Sequence, residues 1–310
     1  MLNWLYYMYF AFKRKKFKII ILRKINSLLC IIIRKFANKF VNTYYKFTIR
    51  ENKIGINTTE NRERKVIVSM TTFPGRIDIV WIAIESLLRQ SYRPDKIILW
   101  LAEEQFEGYS SLPPNLLKQQ QRGLDIRFCD DLRSHKKYYY TFMEYPEEIV
   151  ITVDDDIIYP KNTLETLIKL HKKYPDCICC NRGHLILKNK NGTITSYNNW
   201  IQNPTDYTKP SMLLCPTGVS GVLYPPNSVN KEVFNKNSIK ELCFFADDLW
   251  LKIMSLKNDT RVVKSSSFPG ELFTIDSSQN ESLASFNVNQ NKNDEQLKAI
   301  LNRYHIDFTD

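Results

Sequence analysis

One stretch of the chain, residues 149–156, constrains the fold more than any other. Its sequence, IVITVDDD, is a run of mostly β-branched apolar residues that ends in three consecutive carboxylates, Asp154, Asp155 and Asp156. Such a run is typical of a buried strand at the centre of a parallel sheet. The carboxyl ends of these strands form the edge at which open α/β sheets bind ligands. Because adjacent carboxylates repel one another, the stretch favours a divalent cation at this edge, together with a phosphorylated ligand.

The segments before this strand alternate between strand and helix patterns. Strands are predicted at residues 65–70, 96–101 and 125–128, and a helix is predicted after each of the first two. This order is typical of a parallel sheet with right-handed crossovers. The apolar fraction of 43% over 310 residues is enough to fill one large core. We therefore expect an α/β fold with a Rossmann-like, mostly parallel sheet flanked by helices.

The positive charge of the chain is concentrated in its first 50 residues. The formal net charge is +11, and residues 1–50 contain 12 Lys and Arg but no Asp or Glu. The remaining residues carry 32 basic and 33 acidic side chains, so the main body is nearly neutral. Nucleic-acid binding by that body is therefore not indicated.

The basic segment has an amphipathic pattern. It opens with aromatic residues between Trp4 and Phe12, and its apolar face at helical spacing is formed by Leu22, Ile25, Leu29, Ile32, Ile33, Phe36 and Phe40. Charges interrupt every 18-residue stretch, which argues against a membrane-spanning helix. A basic amphipathic helix with aromatic residues is typical of a segment that lies in an anionic membrane surface. The alternative is a helix packed on the body or on a partner.

The seven cysteines indicate a reducing compartment. They are an odd number, and their spacing matches neither a disulfide scaffold nor a zinc site. Reduced thiols fit the cytoplasm. Together with the basic segment, they predict a cytoplasmic protein that lies peripherally on the inner face of the membrane.

A second acidic pair, Asp247 and Asp248, opens a predicted helix roughly 90 residues after the triple Asp. Aspartates at a helix N-terminus can serve only as caps, so this position alone does not indicate a site. Between the two acidic motifs, the sequence PTGVSGVLY contains Gly218 and Gly221, which would let the backbone approach a ligand closely. The alternative is a tight turn.

Three of these motifs together resemble the nucleotide-sugar glycosyltransferases of the GT-A fold, close to the family-2-like bacterial enzymes. Residues 66–72 are similar to their first strand and nucleotide-binding loop, and the triple Asp is similar to their DxD motif. Residues 246–251, ADDLWL, are similar to their "ED" motif, with Asp247 in place of the usual Glu. The resemblance covers about residues 65–265.

The resemblance implies a site that holds a nucleotide-diphosphate sugar donor with Mn²⁺ or Mg²⁺. Asp154 and Asp156 would be the metal ligands, Asp156 by direct coordination and Asp154 facing the ribose or reaching the metal through water. The donor would contact Asp154, Asp155 and the nucleotide-binding loop. Further candidate contacts to the donor are Thr71, Thr72, Arg76, Lys136 and Lys137. The alternative for the three basic residues is that they are exposed loop charges.

The reaction implied is a hexosyltransferase-like transfer with inversion, in which a separate base deprotonates the acceptor hydroxyl. Asp248 is the first candidate for this base and Asp247 the second. The expected acceptor is a glycan or a lipid-linked glycan in surface polysaccharide synthesis. Two alternatives remain open, namely a non-catalytic membrane-associated carbohydrate-binding protein and a HAD-type phosphotransferase. The second would carry Thr or Val where this chain has Ile158.

Four regions follow from these patterns. We predict a basic amphipathic membrane-associating segment at 1–50, a polar linker at 51–64, the catalytic domain at 65–265, and a C-terminal tail with a terminal helix at 266–310.

Overall fold

In the computed structural model of the chain, the residues described are 2–15, 18–49, 53–268, 271–275, 292–306 and 308. The helices among them are α1 (Leu2–Arg14), α2 (Ile20–Thr48), α3 (Val80–Leu88), α4 (Pro114–Leu117), α5 (Lys136–Glu144), α6 (Thr163–Lys173), α7 (Lys236–Leu242), α8 (Asp247–Leu256) and α9 (Lys292–Tyr304). The predicted tail at 266–310 thus lies partly outside the described residues, and α9 is its terminal helix.

The strands are β1 (Val66–Thr71), β2 (Lys96–Ala102), β3 (Leu124–Cys129), β4 (Ile149–Thr152), β5 (Ile157–Ile158), β6 (Ile178–Cys180), β7 (Gly183–Leu185), β8 (Ile201–Gln202), β9 (Leu214–Pro216), β10 (Val222–Tyr224), β11 (Val262–Lys264) and β12 (Phe273–Thr274). Seven of them form the central sheet in the order β11-β6-β10-β4-β1-β2-β3. All neighbouring pairs are parallel except those made by β10, which is antiparallel to both β4 and β6. The expected α/β fold with a mostly parallel sheet is confirmed.

The strand that carries the triple Asp lies in the middle of this sheet. Every residue of β4 is buried, because β1 and β10 pair with its two edges and helices cover the faces of the sheet. Its β-branched side chains suit this environment, in which both faces of a strand contact apolar neighbours. The carboxyl ends of β1 and β4 therefore open onto the same edge of the sheet.

Two smaller sheets extend the central one. Strand β5, directly after the triple Asp, pairs antiparallel with β12. Strands β7, β8 and β9 form a three-stranded antiparallel sheet within the poorly periodic stretch at 183–215. This stretch therefore contains regular secondary structure and forms a small sheet of its own beside the central sheet.

The two N-terminal helices pack on the body with one face. The buried side chains of α2 are Cys30, Ala37, Val41 and Tyr45. From α1, the Tyr6 ring stacks on Phe273 at 4.1 Å between centroids, and its hydroxyl donates to the carbonyl of Ile158. The basic helical segment predicted at the N-terminus is thus present, and its inner face follows the alternative of packing on the body. Among the described helices, none has a stretch that is both long and apolar enough to cross a membrane.

Candidate active site

The triple Asp is held by backbone contacts where β4 ends. The Tyr159 hydroxyl accepts a hydrogen bond from the Asp154 amide at 2.8 Å, and the Ile275 amide donates to the Asp156 carbonyl at 2.8 Å. Pairing with β1 continues one residue past β4, because the Val153 amide donates to the Ser69 carbonyl at 3.1 Å. The three carboxylates therefore leave the sheet at the edge where β1 also ends.

Asp155 connects the triple Asp to the loop after β1. Its carboxylate accepts hydrogen bonds from the Thr72 hydroxyl and from Nη1 of Arg76, both at 2.6 Å. Burial raises the pKa of Asp155, although Arg76 and Thr72 favour its charged form. Two of the predicted donor contacts are thus brought to the acidic run, where they fix the conformation of Asp155.

Asp156 is the last carboxylate of this run and is largely buried. Burial and the neighbouring Asp155 carboxylate raise its pKa to about 7. Nη1 of Arg76 lies 3.3 Å from Oδ2 of Asp156 and only partly offsets this effect. A further cation beside Asp156 would therefore favour its charged form.

Lys137 joins the two acidic motifs. Its ammonium lies 2.8 Å from Oδ1 of Asp154 and 2.9 Å from Oδ2 of Asp247. Burial alone would lower the pKa of Lys137, but Asp154 and Asp247 raise it well above its usual value. The lysine is therefore charged at every physiological pH and neutralises one carboxylate of each motif.

The pKa values of the two aspartates of the second motif are shifted in opposite directions. Burial would raise the pKa of Asp247, but the charge of Lys137 holds it below its usual value. Burial and the Asp247 charge raise the pKa of Asp248 to about 7. Pairs of carboxyls whose pKa values are pushed apart are a feature of acid–base sites.

Gly218 lies between Asp248 and the triple Asp. Its amide donates to both carboxylate oxygens of Asp248, each at 3.1 Å. A Cβ atom at this position would lie 2.9 Å from Oδ1 of Asp154 and 3.1 Å from Nζ of Lys137. Only glycine fits here without displacing these groups, which is why the two acidic motifs can approach so closely.

Two predicted donor contacts point to other partners. The Thr71 hydroxyl donates to the Trp100 carbonyl of the neighbouring strand at 2.8 Å. The Lys136 ammonium is buried and paired with Asp131. The structure thus brings Thr72, Arg76 and Lys137 to the carboxylates of the five aspartates, whereas Thr71 and Lys136 lie against other groups.

His135 is a structural part of the site that the sequence reasoning missed. Its Nε2 lies 2.8 Å from the Cys243 carbonyl and its Nδ1 lies 2.8 Å from the Tyr138 hydroxyl. Because a carbonyl only accepts, Nε2 carries the proton and Nδ1 accepts from Tyr138. Burial lowers the pKa of His135 to about 4, so the ring is neutral. It connects the start of α5 to the approach to α8, and no local sequence pattern indicates this pairing.

The carboxylates of the site offer part of the ligand set of a divalent cation. Within the described ranges, no group of three or more His, Cys, Asp or Glu side chains converges as a complete metal site. Mg²⁺ and Mn²⁺ are, however, commonly held by one or two carboxylates together with substrate phosphates and water. Asp154 and Asp156 provide such a partial oxygen set. A cation bound beside Asp156 would lower its raised pKa and favour its charged form.

No protein-family model and no curated protein matches the chain. Among solved structures, the mannosyltransferase PcManGT from Pyrobaculum calidifontis in complex with GDP-Man and Mn²⁺ is 12% identical, with a TM-score of 0.49 and coverage of 88% of this chain and 74% of that one. S. aureus TarS, residues 1–349, is 14% identical, with a TM-score of 0.43 and coverage of 77% and 71%. A CMP:2-keto-3-deoxy-manno-octonic acid synthetase with CTP is 10% identical, with a TM-score of 0.40 and coverage of 68% and 91%. These TM-scores lie below 0.5, so the function has to be inferred from the site itself.

Proposed function

We propose that the chain is a metal-dependent glycosyltransferase that moves a sugar, hexosyl in type, from a nucleotide-diphosphate donor to an acceptor hydroxyl with inversion. The observation that supports this most is the arrangement around Gly218. On one side lies a carboxyl with a pKa of about 7, Asp248, and on the other lies the acidic run at the end of β4. Sugar transfer requires a base for the acceptor hydroxyl and a group that holds the leaving diphosphate. The two sides of Gly218 supply these two parts at a short separation.

Asp248 is the proposed general base. A base is most effective when its pKa is near the working pH, because it is then largely ionised and still a good proton acceptor. Asp248 meets this condition, whereas Asp247 is held ionised by Lys137 and is a weaker base. The acceptor hydroxyl gives its proton to Asp248. At the same time the acceptor oxygen attacks the anomeric carbon, and the bond from that carbon to the diphosphate breaks. Attack by the acceptor itself in one displacement gives inversion.

Asp154 and Asp156 are the proposed ligands of Mn²⁺ or Mg²⁺. When bound, such an ion supplies positive charge for the departing diphosphate. Arg76 contributes fixed positive charge of its own beside Asp156, where the leaving group would lie. Lys137 holds Asp154 and Asp247 in place and favours the charged form of Asp247. In this proposal Asp155 is a positioning residue, since Thr72 and Arg76 occupy its carboxylate.

The first test separates donor binding from transfer. A panel of UDP-, GDP- and dTDP-sugars is screened by thermal shift with Mn²⁺, since a true donor stabilises the folded protein by mass action. With the stabilising donor, Asp248→Asn is expected to retain the thermal shift but to lose roughly 10²–10⁴-fold in sugar transfer. Asp156→Asn is expected to lose the Mn²⁺-dependent part of the shift. Asp176→Asn, an exposed aspartate outside the site, is the control. Full transfer activity in Asp248→Asn would remove this residue from the mechanism.

The proposed acceptor is a glycan or a lipid-linked glycan, and the proposed setting is surface polysaccharide synthesis at the cytoplasmic face of a membrane. The basic N-terminal segment supports this setting, since its 12 Lys and Arg are not balanced by any acidic residue. Donor hydrolysis without an acceptor, compared with transfer to polyprenyl-diphosphate-linked sugars, tests it. Hydrolysis that is not accelerated by any lipid-linked sugar would contradict this choice of acceptor.

A further inference from the structure

The outer face of the N-terminal helices is the most apolar surface of the described molecule. Of the 17 large apolar side chains that are exposed among the described residues, 13 lie between residues 4 and 47. Those on α2 are Ile20, Ile21, Leu22, Ile25, Leu28, Leu29, Ile31, Ile32, Phe36 and Phe47. We call this set, with Trp4, Tyr7 and Ile19, the outer face. A contiguous apolar surface of this kind usually marks an interaction site.

The charges beside the outer face have one sign. Arg23, Lys24, Lys35 and Lys39 are exposed on α2, and the first 50 residues contain no acidic side chain. A second copy of the same surface would bring these like charges together. An anionic lipid surface, in contrast, complements them, and each basic residue near such a surface strengthens binding about five-fold.

The inner face of the same helices is fixed to the body. Tyr9 donates to Glu271 at 3.0 Å, Lys13 pairs with Glu271 at 2.9 Å, and Nη2 of Arg34 donates to the Thr274 hydroxyl at 3.2 Å. At the other end of α2, Nη1 of Arg89 donates to the Thr48 hydroxyl at 3.0 Å. Contacts therefore hold the second half of α1, and the middle and C-terminal end of α2, to the body.

We propose that the outer face docks the protein rigidly on an anionic lipid bilayer. The apolar side chains enter the boundary between headgroups and acyl chains, and the flanking basic residues contact the lipid phosphates. Because the inner face of α2 packs on α3 and β12, the catalytic body is held at one orientation to the bilayer rather than on a flexible tether. With 29 residues, α2 would lie along about 43 Å of the surface. Docking does not depend on the proposed sugar transfer.

The test uses sedimentation with vesicles and the full chain. Wild type is expected to bind vesicles of phosphatidylglycerol and phosphatidylcholine at least ten-fold more strongly than vesicles of phosphatidylcholine alone. The triple variant Ile25→Glu, Leu28→Glu, Ile32→Glu is expected to lose binding to both. The matched control is Met143→Glu with Ile201→Glu, two exposed apolar residues of the body, which is expected to bind like wild type.

A charge variant keeps the proposal testable if the triple variant does not fold. Arg23→Gln, Lys24→Gln and Lys35→Gln change only exposed side chains, and we expect them to weaken binding to anionic vesicles more than ten-fold. Equal binding of wild type and both outer-face variants would overturn the proposal. A second result would also overturn it: wild type binds no vesicles but forms a dimer in solution that the triple variant dissociates. The outer face would then be covered by a second copy of the chain. Sedimentation does not involve the donor, so this result is independent of a failed transfer assay.

Discussion

At the scale of the residue, the site depends on a position without a side chain. Gly218 donates its amide to Asp248 while Oδ1 of Asp154 and Nζ of Lys137 lie where its Cβ would be. The close approach of two acidic motifs is possible because Lys137 neutralises one carboxylate of each and the glycine leaves room. Close packing of charged groups in this way suits a reaction in which charge moves between two ends of a substrate.

We therefore predict that Gly218→Ala disturbs both halves of the site. Its Cβ would meet a carboxylate oxygen at 2.9 Å, so Asp154 and Lys137 have to move. The expected result is a loss of about 1–3 kcal/mol in the free energy of unfolding, measured by urea titration, and a weaker donor-induced thermal shift. Gly108→Ala is the comparison, since its Cβ would meet nothing within 4 Å and only its φ of +75° is unfavourable. It should leave the donor-induced shift unchanged.

The raised pKa of Asp248 predicts a pH-dependent effect of Asp248→Asn on stability. The folded protein binds this proton up to about pH 7, whereas an unfolded aspartate releases it near pH 4. The contribution of Asp248 to stability is therefore present below about pH 4 and is lost as pH rises to about 7. The variant should melt at a higher temperature than wild type at pH 8, with a smaller difference at pH 4. A difference that does not change with pH between 4 and 8 would contradict this pKa assignment.

The same pKa predicts the pH profile of the proposed sugar transfer. Transfer should increase as pH rises through about 7, because Asp248 must be ionised to accept a proton. The measurement is kcat/KM for the stabilising donor between pH 5 and 9. A profile that is flat across this range would exclude a base with this pKa.

At the scale of the element, three parts of the chain meet at one ammonium group. Lys137 is in the first turn of α5, Asp154 follows β4, and Asp247 begins α8. His135 adds a second connection from the start of α5 to the carbonyl of Cys243 before α8. The relative positions of α5 and α8 are thus set by polar contacts at the site as well as by apolar packing.

Lys137→Met is therefore expected to destabilise the protein and to do so in a pH-dependent way. Removing the ammonium leaves the buried carboxylate of Asp247 and the partly buried one of Asp154 without their cation, and breaking a buried pair typically costs about 3–5 kcal/mol in the free energy of unfolding. The loss should be larger near pH 8 than at low pH, because the pKa of Asp247 is no longer held down by Lys137 and this buried carboxyl then takes up a proton more readily. Lys236→Met removes an exposed pair with Asp130 and should cost at most about 1 kcal/mol. If urea titrations give equal losses in the free energy of unfolding for the two variants, Lys137 stabilises the protein no more than an exposed ion pair does.

The elements and the acidic motifs were predictable from the sequence, but their connections were not. Residues 149–156 alone place a buried strand and three carboxylates at its end, because apolar β-branched runs have few other uses. The sequence does not distinguish Lys136 from Lys137, since the choice depends on how the first turn of α5 is rotated. In the structure, one pairs with Asp131 and the other joins the two motifs. The contact of Gly218 with Asp248 spans 30 residues, which include β10 and α7, and has no local signal.

At the scale of the whole molecule, α1 and α2 are two-sided. Their inner face continues the hydrophobic core of the body, and their outer face is exposed and apolar. The sequence pattern suggested membrane contact and packing as alternatives, because a helix rich in apolar residues on most sides satisfies both patterns. Fully buried positions such as Ala37 and Val41 show which side belongs to the core.

Deleting residues 1–49 is accordingly expected to damage the body itself. The deletion would expose the apolar surface that Tyr6, Val41 and Tyr45 now cover. We expect the melting temperature to fall by several degrees and the binding of a hydrophobic dye to increase. The outer-face triple variant is the control, since it changes only exposed residues and should melt near the wild-type temperature. A truncated chain as stable as the full chain would show that the helices contribute little to folding.

One side chain of α1 also stabilises the segment that follows the acidic run. The Tyr6 hydroxyl bonds the carbonyl of Ile158, two residues beyond Asp156, and accepts from the Phe273 amide at 3.0 Å. A single phenol at the start of the chain thus completes the backbone hydrogen bonding of the strand that follows the acidic run. Helix α1 and the strand after Asp156 are therefore expected to lose order together when this phenol is removed.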